Sequence, residues 1–225
     1  LLDLRKNVDG TYKLQIIMLL LLSPIFQYEI AVRSDLFSNM VIVLLYLNMY
    51  EKYLGKFKYS NLVFGFVGGL LLSTRAIVII PFIIFFGHHF KTKPIKNSIH
   101  FAISAGIGFL LTVIPFLIWD FAGFMSDGPF SRQSAYIQLW QLILVIGSAG
   151  VIAIVSTTKD TVYRNSAYLL FATSFLVFLT RVFGDGWNST FFQHGFDISY
   201  FSFSLPFLLF AIPVVKNRDI HTANL

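Results

Sequence analysis

The sequence predicts an all-α fold, a polytopic bundle of helices integral to a membrane. Of its 225 residues, 56% are hydrophobic and only 12% are charged, whereas soluble domains carry about a quarter charged residues. The mean hydropathy is +0.72. Thirteen of the seventeen Lys and Arg residues fall into five short clusters that apolar stretches separate. Short cytoplasmic loops of membrane proteins collect Lys and Arg, so the clusters predict which loops face the cytoplasm.

The basic residues divide the chain between two sides of the predicted membrane. The clusters are Arg5/Lys6/Lys13, Lys52/Lys56/Lys58, Lys91/Lys93/Lys96, Lys159/Arg164 and Lys216/Arg218. The other four are all arginine: Arg33, Arg75, Arg132 and Arg181. Each of these four lies where the chain is expected to turn on the outer side, away from the cytoplasm. Both termini are therefore predicted to be cytoplasmic.

Apolar runs bounded by polar loops predict about eight transmembrane segments in one domain, residues 1–225. They cover residues 14–30, 36–50, 61–74, 76–90, 99–119, 137–157, 165–182 and 196–214. A straight crossing needs roughly 20 residues. The later four segments are long enough to cross unaided, and the earlier four are expected to form two short hairpins.

The second hairpin, residues 61–90, follows from the charge rule. As one helix it would put Lys58 and Lys91 on opposite sides of the membrane. A turn at Ser73-Thr74-Arg75 keeps both lysine clusters cytoplasmic. The glycines Gly65, Gly68 and Gly69 predict close helix–helix approach in this hairpin.

Aromatic residues and histidines are predicted at the headgroup level, which amphipathic rings prefer. The outer set is Trp119, Tyr136, Trp140, Trp187 and Tyr200, and the inner set is Tyr50, Tyr53, Tyr59, Tyr163, His88 and His89.

Several function classes are disfavoured by residues the chain lacks. Without cysteine it has no disulfide framework, thiolate nucleophile or zinc–thiolate site. It has no Gly-rich phosphate loop followed by Lys-Ser/Thr, no G-x-S-x-G and no H-E-x-x-H. The basic residues are split among loops rather than gathered on one face, which argues against nucleic acid as a partner. No cofactor or metal site is evident.

The outer side carries the candidate binding residues. Glu29, Arg33 and Asp35 form a tight cluster in the first outer turn. Arginine donates planar, bidentate hydrogen bonds to phosphate, so the cluster suits an anionic, hydroxyl-rich substrate. The same residues also fit a self-paired turn, with Glu29 and Arg33 spaced i,i+4 and Asp35 capping the next helix. Likewise, Arg75 at a hairpin tip suits either a bound phosphate or lipid headgroups.

Two further outer loops contain polar candidates. Asp120 follows Trp119 at the end of a long segment, and Arg132 lies in the loop after it. That loop also fits an interfacial connection anchored by Trp119. In the last outer loop His194 and Asp197 could share a helical face, a pair able to do acid/base work. No third ligand accompanies them, so no metal site is predicted.

The order of several motifs resembles the type-C superfamily of polytopic membrane glycosyltransferases, including mannosyltransferase-like members. Similar pieces are Ser23-Pro24 through Glu29, Val32-Arg33-Ser34-Asp35, Gly68 to Arg75 followed by Pro81, and Pro115 to Asp120 followed by Pro129-Phe130. Together these pieces extend over most of the chain, and the resemblance lies in their combination and order.

The resemblance implies an enzyme that moves a sugar from a polyprenyl-phosphate donor to an acceptor at the outer face of a membrane, expected to be a bacterial cytoplasmic membrane. Arg33 or Arg75 would hold the phosphate, and Asp35 or Asp120 would orient the sugar or a basic side chain. The family's key acidic residue lies in a large outer loop after the first transmembrane helix. No such loop occurs between Leu1 and Asp35, so the chain is expected to be the C-terminal part of a larger enzyme, with its catalytic base upstream.

Three other classes remain open from the sequence, and one of them is a purely structural subunit of a membrane assembly. A polytopic transporter would place charged groups or broken helices near the midplane, and Gly106, Gly108 and Pro115 are compatible with that. A lipid-linked polysaccharide polymerase or ligase would also place arginines outside.

Overall fold

The computed structural model describes residues 34–128, 137–187, 201 and 203–211, and all regular structure in these residues is helical. The helices are α1 (Ser34–Tyr53), α2 (Ser60–Thr74), α3 (Ile79–Thr92), α4 (Ile95–Trp119), α5 (Phe121–Asp127), α6 (Leu139–Val155), α7 (Lys159–Asp185) and α8 (Ser204–Ala211). One turn of 3-10 helix, Ala76–Val78, precedes α3. The all-α class is thus confirmed for the described residues. Of the predicted segments, 14–30 lies outside them and 196–214 lies only partly within them.

The predicted break in the second hairpin is confirmed. Helix α2 ends at Thr74, and Arg75 has extended backbone with φ −150° and ψ 129°. The hydroxyls of Ser73 and Thr74 donate to the carbonyls of Leu70 and Leu71, each at 2.7 Å. These hydrogen bonds are accepted by carbonyls in the last turn of α2, where no further helical backbone N–H follows to donate to them.

Glycines bring α2 against α4, so the predicted close approach occurs, with a partner helix that the sequence did not indicate. A Cβ atom at Gly65 would clash with the carbonyl oxygen of Phe101, and one at Gly69 would clash with that of Ala105. Gly108 of α4 lies equally close to the backbone of α2 at Phe66. The backbones therefore touch, as small residues permit between membrane helices. Gly65 and Gly69 each face a residue 36 positions later in the sequence, so α2 and α4 run parallel. Helix α3, which connects them in the sequence, runs in the opposite direction.

A long-range apolar core joins α1, α3, α6, α7 and α8. Its buried members include Leu47 in α1, Ile84 in α3, Ala149 in α6, Leu170 in α7 and Phe207 in α8. The side chains of Ile84 and Ala149 have no exposed surface.

Helix α7 begins six residues before the predicted segment 165–182 and ends three residues after it. A reciprocal cap accounts for its start: the Thr161 N–H donates to Thr158 Oγ1 at 3.3 Å, and the Thr158 N–H donates to Thr161 Oγ1 at 3.1 Å. These bonds satisfy two donors that a helix start leaves free. Gly186, with φ +79°, ends the helix in a conformation that favours glycine.

The helices share two ends, and the described lysines all lie at one of them. There α1, α3 and α6 end while α2, α4 and α7 begin, as cross-helix contacts show. Lys91 Nζ of α3 donates to the carbonyl of Ala153 in α6 at 2.9 Å, and Lys159 Nζ of α7 lies 3.1 Å from Glu51 Oε2 of α1. We call this the lysine end. The opposite end, which we call the arginine end, holds Arg75 and Arg181 together with α5.

Two described helices are long and apolar enough to cross a membrane, Ile95–Trp119 and Lys159–Gly184. The helices Ser60–Thr74 and Leu139–Val155 are apolar but shorter. Much of the apolar side-chain surface of α4 and α6 lies outside the core, for example Leu111 and Ile143, both more than 60% exposed.

Candidate functional site

Arg75 lies at the arginine end, in the break between α2 and the 3-10 turn. Its carbonyl accepts a hydrogen bond from the Val78 N–H at 3.1 Å, which fixes the start of that turn. Its side chain is partly exposed. The break therefore places a partly exposed arginine at the arginine end, a residue type that binds oxyanions such as phosphate through planar, bidentate hydrogen bonds.

Asp120 separates α4 from α5 and caps the second of them. The Gly123 N–H donates to Asp120 Oδ1 at 2.9 Å, the usual geometry of an N-capping carboxylate. The residue is exposed. The loop predicted from Asp120 to about Tyr136 thus begins with a short helix, Phe121–Asp127, and the carboxylate has a local structural role that its sequence position alone did not reveal.

The structure does not bring Arg75 and Asp120 to the same level of the bundle. In the register that joins α2 to α4, Arg75 is level with Leu111, and Asp120 follows nine residues later. At about 1.5 Å of rise per residue, the two differ by roughly 13 Å along α4. Their backbone positions are therefore offset along the bundle by more than two helical turns.

The other predicted binding residues are described only in part. Asp35 lies in the first turn of α1, a helix whose last turn is at the lysine end. Its start therefore lies toward the arginine end. Glu29, Arg33, Arg132, His194 and Asp197 lie outside the described residues.

A polar contact that the sequence did not suggest joins α6 to α7 near the arginine end. The fully buried Gln141 donates from Nε2 to Thr180 Oγ1 at 2.6 Å, and its Oε1 accepts from the Gln138 N–H at 2.8 Å. A buried amide is costly unless partnered, and this one has partners for both its donor and its acceptor. Arg181 follows Thr180 directly, four residues before the end of α7.

The lysine end contains a second polar cluster that sequence reasoning missed. Glu51 Oε1 accepts a 2.6 Å hydrogen bond from the Tyr163 hydroxyl, and Glu51 Oε2 lies 3.1 Å from Lys159 Nζ. These partners are more than a hundred residues apart in sequence, so no local spacing could have signalled them. Nearby, Tyr50 Oη lies 3.4 Å from His89 Nδ1.

The sequence predicts Tyr50, Tyr163 and His89 at the inner headgroup level, and the bundle encloses all three. Each lies at the lysine end, but His89 and Tyr163 are only 1% exposed, and Tyr50 is buried as well. The His89 ring stacks on Phe101 with centroids 5.0 Å apart. Rings of this size give good van der Waals contact between helices, which here outweighs their preference for the interface. Tyr53 and Tyr59 are exposed as predicted.

Among residues 34–128, 137–187 and 201–211 as described, no three His, Asp or Glu side chains come together to hold a metal ion. No protein-family model, no curated protein and no solved structure matches this chain.

Proposed function

We propose that the chain spans a membrane as a polytopic bundle of about eight segments, with its lysine end in the cytoplasm. The gathering of three separate lysine clusters at one end supports this orientation, because cytoplasmic loops retain Lys and Arg. The two long apolar helices and the apolar surface outside the core support immersion in lipid.

We further propose that the protein is a glycosyltransferase that takes a sugar from a polyprenyl-phosphate donor at the extracytoplasmic face. The observation that carries this proposal is Arg75, a partly exposed arginine in a helix break at the arginine end. The donor's phosphate lies at the membrane surface because its polyprenyl chain is in the bilayer. A guanidinium held at that level can bind the phosphate and stabilise the negative charge that develops as the sugar departs.

Asp120 serves a different part of the reaction in this proposal. It meets the sugar or the acceptor rather than the phosphate, because a carboxylate has no hydrogen to donate to a phosphate oxygen. The carboxylate is exposed beyond its capping bond, so it can accept a hydroxyl hydrogen bond from a carbohydrate.

Substitution of Arg75 tests the proposal in the full-length protein. Arg75→Ala is expected to lower sugar transfer from a radiolabelled polyprenyl-phosphate sugar by about 100-fold or more, the usual scale for a lost transition-state donor. Arg75→Lys is expected to retain an intermediate rate, because Lys keeps the charge but loses the planar pair of donors.

Arg164→Ala is the matched control, since Arg164 is an exposed arginine at the lysine end. It is expected to transfer sugar at the wild-type rate. All variants are first checked for membrane insertion by carbonate extraction. Wild-type transfer by inserted Arg75→Ala protein would refute the phosphate role.

A further inference from the structure

A basic and aromatic surface covers one side of the lysine end. It consists of residues 52–59, which connect α1 to α2, and residues 90–96, which connect α3 to α4. Because α2 and α4 run parallel and start side by side, these two connections are neighbours. The surface contains five exposed lysines: Lys52, Lys56, Lys58, Lys93 and Lys96.

The lysines of this surface have no acidic partner among the described residues. Neither 52–59 nor 90–96 contains Asp or Glu. The adjacent Glu51 is already engaged by Lys159 and Tyr163. Asp160, the other described carboxylate at this end, lies in the first turn of α7. Lys91 also lies in residues 90–96, but it is not counted among these five lysines, because its ammonium group donates to the Ala153 and Ile154 carbonyls at the end of α6.

Exposed aromatic rings alternate with these lysines. Phe57, Tyr59 and Phe90 are 44%, 57% and 50% exposed. Lys58 Nζ lies 5.3 Å from the ring centroid of Tyr59, and Lys52 Nζ lies 5.2 Å from that of Tyr53. A cation–π contact directs an ammonium group but leaves N–H donors available for a phosphate. A phenylalanine between two lysines suits the boundary between headgroups and acyl chains.

The connection between α1 and α2 has a defined backbone that presents these side chains together. The Gly55 N–H donates to the buried Ser60 Oγ at 3.0 Å, and Gly55 has φ +80°, which favours glycine. The Lys56 N–H donates to the Tyr53 carbonyl at 3.0 Å, and the Ser60 N–H donates to the Phe57 carbonyl at 3.1 Å. The lysines and Phe57 are therefore held on a formed turn.

We propose that this surface binds the headgroups of anionic phospholipids, with the lysines on the phosphates and Phe57 inserted between the headgroups. The proposal rests on the orientation given under Proposed function, which puts the lysine end at the cytoplasmic leaflet. Anionic lipid in that leaflet attracts basic segments next to membrane helices. Charge complementarity and the interleaved rings together favour a lipid surface as the partner.

The test compares retention of two lipids by the purified full-length protein in detergent, measured by native mass spectrometry. The probes are phosphatidylglycerol and phosphatidylcholine with the same acyl chains. Wild-type protein is expected to retain phosphatidylglycerol in preference. A variant with Lys56, Lys58, Lys93 and Lys96 all changed to Gln is expected to lose at least about tenfold in that preference, because each lysine contributes to the attraction.

Three further variants test whether the preference for phosphatidylglycerol depends on the positive charge of these lysines, on Phe57, and on the position of the charge at the lysine end. The same four lysines changed to Arg keep the charge and are expected to retain phosphatidylglycerol. Phe57→Ser keeps every lysine and is expected to weaken retention of both lipids. Arg164→Gln removes a charge from the same end outside the surface and is expected to change nothing.

Equal retention of both lipids by wild-type protein would overturn the proposal, and so would unchanged preference in a folded four-Gln variant. Cysteine labelling of the two ends, described below, tests the orientation separately. If the labelling supports the orientation but the lipids are not distinguished, only the lipid proposal fails. If the lysine end labels from outside, the orientation fails, whatever lipid preference is measured.

Discussion

The Tyr163 hydroxyl donates to Glu51 Oε1 at 2.6 Å and joins α7 to α1 at the lysine end. Tyr163 is almost fully buried, and its ring also packs on Phe210 with centroids 5.1 Å apart. The carboxylate of Glu51 completes the link through Lys159. Lys159 is 56% exposed, so its ion pair contributes little, and the hydrogen bond from the buried tyrosine dominates this contact.

Tyr163→Phe is therefore expected to lower the stability of the bundle. It removes only a hydroxyl, but that hydroxyl serves a charged acceptor, a class of hydrogen bond that contributes about 1.5–3 kcal/mol. The measurement is thermal unfolding in detergent, and a lower Tm is expected. Tyr168→Phe is the control, since Tyr168 lies exposed on the same helix. Equal Tm values for Tyr163→Phe and wild type would show that the bond contributes nothing.

Gly69→Ala is expected to disrupt the packing of α2 against α4, because the added Cβ atom would meet the carbonyl of Ala105. Backbone on both sides of the contact cannot yield without moving a helix, so the loss should exceed about 1 kcal/mol, the low end for overpacking. Gly106→Ala is the matched control on α4, where an added Cβ atom meets nothing within 4 Å. It should be neutral or stabilising, since alanine favours the helix. Identical unfolding curves for the two variants would argue against this interface.

Asp120 combines a capping role with a proposed substrate role, and two substitutions separate them. Asp120→Ala removes the acceptor for the Gly123 N–H and is expected to cost about 1 kcal/mol of stability. Asp120→Asn caps equally well, so it should unfold like wild type. If the carboxylate also contacts the substrate, Asp120→Asn should still lower sugar transfer. Full transfer by Asp120→Asn would leave Asp120 with its capping role alone.

The orientation is open to direct labelling because the 225 residues contain no cysteine. Lys56→Cys places a thiol at the lysine end, and Ala122→Cys places one on α5 at the arginine end, both at exposed positions. In intact cells, a membrane-impermeant maleimide is expected to label Ala122→Cys alone. Permeabilised cells serve as the control, in which both positions should react. Labelling of Lys56→Cys in intact cells would reverse the proposed topology.

Sequence by itself determined where the described helices start and stop, to within a few residues in most cases. Helix breaks depend on local chemistry, such as the Ser73-Thr74-Arg75 turn after α2. The gathering of the described lysines at one end was predictable for a related reason. Once the breaks are known, successive long helices alternate in direction, and each basic cluster within the described residues falls beside the same end.

The tertiary structure alone decided which face of each helix packs against its neighbours. Helices such as α4 are apolar around most of their circumference, so hydrophobic periodicity does not indicate the buried face. Only packing shows that His89 is enclosed against Phe101 and that Glu51 reaches Tyr163 across the bundle. It likewise determined that Arg75 and Asp120, both predicted on the outer side, are offset along α4. Such contacts depend on the register between helices, which for α2 and α4 is set by the close approaches at Gly65, Gly69 and Gly108.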